Sequence, residues 1–387
     1  MDLLLKYAPV YLISARFFLL LNSKMDLLKT DIGQSPYLAL YRQFWTWFEA
    51  HAALLFERLK TVNEAEDSFF ELLSPQLGPL KDRVFFLVGM HDDATAELIF
   101  TADGVIKNIV FAEELVAAAP RIDNWKFTAL KPEHSANEIN VELAGLKFEE
   151  KSICFYPIRH EKYPDEIELV IVLAHFTEAQ KSSAYSGAFI FIDHLLGEIN
   201  AVTLIDTIKI AAKAEAEAEL IPISKLKPYL IWREKEFVEK YGDYYYDSAH
   251  DSYTGFEAQL KSGSKLIATM NTAALNWEFK GSHPWILKIA INYDGAVNEG
   301  FPDAETLAWI NQFDDLLLDY FPESDGFINL GRETGEGIRE IYFACKGFRE
   351  PSRITQHLIL QFEGKLEMDY QIFKDKYWQT FERYTTY

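Results

Sequence analysis

The sequence predicts an α+β protein: an N-terminal antiparallel-sheet α+β domain followed by a C-terminal ferredoxin-like (β-α-β-β-α-β) domain. Three observations lead there. A chain of 387 residues, 49% of them hydrophobic, can bury more than one core and suggests about two to three domains. The first two thirds carry short strand-like runs, mostly joined by hairpin signals, beside a few helical stretches. The last third alternates strand and helix periods in the split-βαβ order. These readings divide the chain into 1–43, an N-terminal segment with an over-extended start; 44–241, the α+β domain; 242–275, a linker region; and 276–387, the ferredoxin-like domain.

Residues 7–24 are apolar but interrupted by Arg16, too short to span a bilayer, and without a small-x-small cleavage site. Met25 opens "MDLLK", which echoes "MDLLLK" at Met1, so the expectation is either a true start at Met25 or a loosely attached helix before it. From Phe44, "FWTWFEAHAALLFERL" and "EAEDSFFELL" repeat apolar residues at three- and four-residue steps and predict helices, with the aromatic cluster in a core. "VFFLVG" is a strand, and Asp103-Gly104 is the preferred dipeptide of a two-residue hairpin. "AEELVAAAP" predicts a short helix stopped by Pro120, and "WKFTALKP" a strand. "NVELAGLKF", "SICFYPI", "EIELVIVLAHF" and "AVTLIDTIKI" add strands. "TEAQKSSAYSGAF" and "ISKLKPYLIWREKEFVEKY" add helices. "GDYYYDSAHDSYTG" breaks the pattern and marks the domain linker.

In the last third, Trp285, Leu287, Ile289, Ile291 and Tyr293 alternate on one face of a strand. A helix follows, with Pro302 near its first position and a stripe of Leu307, Ile310, Phe313, Leu317 and Tyr320. "GFINLGRE" and "IREIYFAC" flank "TGEG"; the glycines lead into another strand, not a helix N-terminus, so the loop is a hairpin turn and no phosphate cradle. "PSRITQHLILQF" predicts a helix opened by Pro351 and Ser352. In "KLEMDYQIF", Leu366, Met368, Tyr370 and Ile372 point inward. This order predicts a four-stranded antiparallel sheet with both helices on one face.

The formal charge of −21 repels phosphate backbones, so nucleic acid is not an expected partner; the partner it points to is a basic protein surface. No membrane partner is expected, and the address is the cytoplasm. Cys154 and Cys345 lie far apart and form no C-x-x-C pair, which excludes a thiolate zinc site; they read as buried thiols of a reducing compartment, with a single disulfide the alternative. Candidate metal ligands are His194 and Glu198, one helical turn apart in "DHLLGE", and the "MHDDATAE" turn with His91 and Asp93. No G-x-S-x-G occurs, no catalytic set is assigned, and no cofactor is called for. In the tail "KDKYWQTFERY", Tyr377 and Trp378 are candidates for partner contact, with packing across the sheet edge the alternative.

"YDGAVNEGFPDAETLAWINQFDDLLLDYF", "GRETGEGIREIYFACK" and "KDKYWQTFERY" resemble the bacterial family called Domain of Unknown Function 695, over Trp277 to Tyr384. "NIVFAEELVAAAPRIDNWKFTALKP" looks like an N-terminal module of uncharacterised bacterial proteins. The C-terminal part is more distantly similar to the regulator of ribonuclease E activity B, an acidic cytoplasmic protein thought to act by binding a nuclease. The resemblance implies a ferredoxin-like fold and carries no catalytic residues across. Together these readings favour a non-enzymatic interaction or regulatory protein. The alternatives are a metal-assisted hydrolase and a toxin-neutralising immunity-type protein; the latter predicts a toxin gene next door.

Overall fold

The computed structural model describes residues 35–61, 65–80, 84–296 and 298–385. The readings of a second start at Met25 and of the segment before it lie outside these residues. The chain forms two compact units, one from Tyr37 to Lys240 and one from Tyr241 onward.

In the first unit, helices α1 (Leu38–Thr61) and α2 (Ala65–Leu73) precede strands β1 (Phe85–Met90) and β2 (Ala96–Thr101), helix α3 (Ile109–Ala117) and strand β3 (Trp125–Ala129). The aromatic run of α1 is core, as its spacing predicts: Phe44, Trp45 and Phe48 are buried among Phe100, Trp125 and Phe127, with Trp45 and Phe127 ring centroids 4.5 Å apart. Both indole N–H groups there find acceptors, Trp45 Nε1 on Leu115 O at 2.7 Å and Trp125 Nε1 on Ala52 O at 3.1 Å. Buried tryptophans need such partners.

A hairpin of β4 (Val141–Leu143) and β5 (Leu146–Phe148) leads to β6 (Ile153–Ile158) and β7 (Glu168–Leu173). Helices α4 (Lys181–Leu196) and α5 (Glu198–Leu204) then cross to β8 (Thr207–Ala212), and β9 (Ile221–Pro222) and α6 (Leu226–Tyr241) complete the unit. The second sheet has the order β8-β7-β6-β9. Strand β7 is buried along its whole length, which explains its unbroken apolar run. The unit therefore holds the same arrangement twice: an antiparallel strand pair, a helical crossover, and a third strand parallel to the second.

Several expectations need correction here. The three-stranded sheet β1-β2-β3 and the four-stranded sheet are mixed, because β2/β3 and β7/β8 are parallel, whereas the β4/β5 hairpin is antiparallel, so the unit is α+β without being purely antiparallel. Asp103-Gly104 does take two positive φ angles (48° and 80°), but its turn delivers the chain into a helix. Residues 201–204 are helix and only 207–212 are strand; Leu204 is buried as part of the crossover.

The second unit begins with β10 (Tyr253–Gln259), β11 (Lys265–Asn271) and the short helix α7 (Thr272–Leu275). Then come β12 (Trp285–Asn292), α8 (Ala304–Tyr320), β13 (Phe327–Gly335), β14 (Ile338–Cys345), α9 (Arg349–Gln361) and β15 (Glu367–Lys374). The antiparallel sheet runs β10-β11-β13-β14-β12-β15. Strands β12 to β15 thus lie in the ferredoxin-like order, fourth-first-third-second. The region read as a linker instead contributes β10 and β11: its Gly, Ser and Tyr residues look irregular in sequence, yet "YTGFEAQ" pairs residue for residue with "KLIATMN".

Helix α8 is capped by Asp303, whose carboxylate accepts the Thr306 N–H at 2.8 Å, which places Pro302 outside the helix. Ile310, Phe313 and Leu317 of its stripe are buried, whereas Leu307 is 38% exposed. The other sheet face is also covered. Ile286, Leu330, Tyr342 and Ala344 pack with Leu275 and with Trp378, Phe381 and Tyr384 of the tail.

Candidate functional site

Glu198, His194, His91, Asp93, Tyr377 and Trp378 lie in different surroundings. Glu198 opens α5 and is fully buried. Its carboxylate accepts hydrogen bonds from Thr101 Oγ1 (2.6 Å), the Lys131 N–H (3.1 Å) and the Gly104 N–H (3.2 Å). Gly197 (φ 73°) allows the backbone at Lys131–Glu133 to approach, and Glu198 N donates to Lys131 O at 3.0 Å. Lys131 Nζ bridges Asp103 (2.9 Å) and Asp193 (3.0 Å); burial lowers the ammonium pKa, but the two carboxylates outweigh it and hold it above the ordinary value. His194 faces His134, ring centroids 5.6 Å apart, and burial followed by that neighbour pulls its pKa down. A cavity of about 480 Å³ borders Asp103, Lys131 and Asp193, whose charges already pair with one another.

His91 pairs with Glu97 at 3.3 Å, and Asp93 is exposed in its turn. Among the described residues, no group of three or more His, Cys, Asp and Glu side chains is placed to hold a metal ion. Trp378 is 1% exposed and donates to His283 O at 2.9 Å, so it packs and does not present itself to a partner. Tyr377 beside it is half-buried.

A different place has the properties of a binding site. A helix is about 10 Å wide and strands lie about 4.8 Å apart, so each helix covers about two strands. Helices α8 and α9 serve a six-stranded sheet, and among the described residues no helix covers the floor over β11 and β10 beyond α8. Register puts Ile267, Thr269, Arg332, Thr334 and Arg339 on this face, because Ile267 opposes Thr334, Thr269 opposes Arg332, and Thr334 opposes Arg339. The result is a groove of two cavities, about 210 and 290 Å³, that share Thr269 and Arg332. One wall is α8, through Leu307, Asp314 and Leu318; the end is the loop with Asn298, Phe301 and Pro302.

The glycine-bearing turn fixes that end. Glu336 and Gly337 (φ 53° and 78°) form the two-residue connection between β13 and β14. Gly337 N donates to Gly300 O at 2.9 Å and Tyr293 N to Gly337 O at 2.8 Å, which clamps the turn to the 293–302 loop. Gly331 sits at a bulge in β13 with φ 124°; a Cβ there would meet Met270 Cα at 2.7 Å, so glycine is required where β11 and β13 approach.

Charge inside the groove is opposite to that of the whole chain. One Asp314 oxygen, Oδ2, accepts from Arg339 (2.8 Å) and from Arg332 (3.3 Å). Arg339 is 5% exposed, and its Nε and Asp314 Oδ1 are buried without a hydrogen-bond partner. Burial pushes Asp314 up against the pull of Arg339 and Arg332, and pushes Arg339 down against the pull of Asp314. Two guanidinium groups thus share one carboxylate. The Arg332 side chain, 47% exposed, stands at the opening. Tyr253 lines the floor, its phenol pKa raised by burial and then by Asp251, so it remains a donor.

Residues 262–385 match the model of a family of unknown function (DUF695). The matched segment takes in β11 through the tail and therefore most of the groove. No curated protein and no solved structure matches the chain. No single described helix is long and apolar enough to cross a membrane.

Proposed function

We propose that this protein is a non-enzymatic recognition module whose C-terminal groove binds an acidic, apolar-flanked segment of a protein partner. The observation that carries this reading is the Arg332–Asp314–Arg339 cluster, which has one more cation than anion inside an apolar cleft. Desolvated arginine that lacks a full set of acceptors favours a carboxylate, because the fork geometry matches it and the low local dielectric strengthens the pair. Ile267, Leu307 and Leu318 around it are 38–57% exposed and supply apolar area for a flanking side chain. A basic partner, by contrast, is suggested by net charge alone. The unbridged Cys154 and Cys345 support a reducing, cytoplasmic address.

Fluorescence anisotropy tests this reading with two labelled peptide pools, one of Glu and Leu, the other of Lys and Leu. The acidic pool binds, weakens about tenfold or more in Arg332→Glu, and weakens again as salt shortens the screening length. Preference for the basic pool, or acidic binding indifferent to Arg332→Glu, refutes it.

A further inference from the structure

The groove also specifies the shape of its occupant, and we infer that this is an amphipathic helix of the partner, laid alongside α8 as a third helix on the sheet. The inference rests on the recognition reading above and narrows it. Its first support is hydrogen bonding. Beneath Ile267 and Arg332, strands β11 and β13 are each paired on both sides, β11 with β10 and β13, β13 with β11 and β14, and the free edge on this side of the sheet is the outer edge of β10, away from Arg332. An extended peptide lying there would find no free strand edge, and its buried backbone groups would go unpaired. A helix satisfies its own backbone and needs nothing from the floor.

Width gives the second support. The uncovered strip is β10 and β11, two strands or about 10 Å, the diameter of one helix. Third, the outer flank of α8 carries a stripe suited to a helix neighbour. Leu307, Asn311, Asp314 and Leu318 follow i, i+4, i+7, i+11 spacing, so they lie along one line of the helix. Leu307 (38% exposed) and Leu318 (57%) bracket Asp314, with Ile267 (46%) and Tyr253 (47%) on the floor opposite. At about 1.5 Å per residue the two leucines are roughly 16 Å apart, which is about three turns of an opposing helix. That helix presents apolar residues at i, i+3 or i+4, and i+7, with a Glu or Asp set to reach Arg332.

A display library of random 16-residue peptides, selected on the full chain and counter-selected on Arg332→Glu, decides the matter. Circular dichroism and thermal melting confirm that this variant and Arg332→Gln are folded; Arg332 is half exposed and bonds Asp314 only at 3.3 Å. The expected survivors show helical apolar spacing around an acidic residue. Central proline in such a peptide lowers affinity by about a hundredfold, and Arg332→Gln lowers it by about tenfold or more. Survivors with alternating, period-two spacing, or that tolerate proline, overturn the helix and leave recognition standing. Absence of any Arg332-dependent binder overturns both.

Discussion

Removing the Glu198 carboxylate separates a structural clamp from a metal ligand. Glu198 has no exposed surface and accepts from Thr101 Oγ1, Lys131 N and Gly104 N at 2.6, 3.1 and 3.2 Å. Hydrogen bonds to a charged group contribute about 1.5–3 kcal/mol each, and a donor left buried without an acceptor costs about 1–3 kcal/mol. Water reaches part of the loss, because Gly104 and Lys131 lie at the rim of the cavity. Glu198→Ala should therefore destabilise the unit from Tyr37 to Lys240 by about 3–5 kcal/mol, the range for breaking a buried charged network. Glu198→Gln keeps one acceptor oxygen but turns an NH₂ toward donors, for a cost of about 2 kcal/mol. For a unit of this size the alanine variant melts roughly 6–20 °C lower. Urea-dependent hydrogen exchange, read by mass spectrometry on peptides covering 96–134 and 181–212, localises the loss. A Glu198→Gln variant within about 0.5 kcal/mol of the parent refutes the clamp. So does a parent protein that a divalent cation stabilises while Glu198→Gln gains nothing.

Two further outcomes follow from packing and protonation. Gly187 of α4 lies where a Cβ would overlap the fully buried Phe148 ring, so Gly187→Ala should cost about 1–3 kcal/mol, and Phe148→Leu in the same chain should recover at least about 1 kcal/mol in a urea-unfolding double-mutant cycle. His283 is 2% exposed, and burial, then the Lys346 charge, pushes its pKa from 6.5 down to about 3. The folded imidazole stays neutral while the unfolded one takes up a proton below its ordinary value. Its contribution is thus complete above pH 6.5 and is lost as pH falls toward 3, at up to about 1.4 kcal/mol per pH unit. Urea midpoints of the C-terminal unit between pH 7 and pH 5 should show this slope, and His283→Gln should flatten it; an unchanged slope contradicts the burial argument.

Much of the C-terminal architecture is written in local patterns. The alternation of β12 and β15, the stripe of α8 and the glycine turn at Glu336-Gly337 each follow from spacing within about twenty residues, and they suffice for a β-α-β-β-α-β order. Even Arg332 and Arg339 were within reach, since a two-residue turn between Gly335 and Ile338 places 332, 334, 339 and 341 on one face. Asp314 was not, because it meets the arginines from a different element and its acidic helix face reads as ordinary solvated surface. Likewise, the hydroxyl and backbone donors that saturate Glu198 come from residues 67 to 97 positions away, so helical spacing suggested a ligand pair where packing made a clamp.

The sequence by itself therefore determined the α+β class, the β-α-β-β-α-β order of elements along the last third and the hairpin nature of the glycine segment, because these depend on periodicity and on backbone angles set residue by residue. Only the tertiary structure decided that β10 and β11 widen the sheet beyond its helices, that the two larger sheets of the first unit are mixed, and that a cationic groove exists in an anionic protein. Strand pairing and the meeting of charges depend on contacts between distant segments, and no local pattern encodes them.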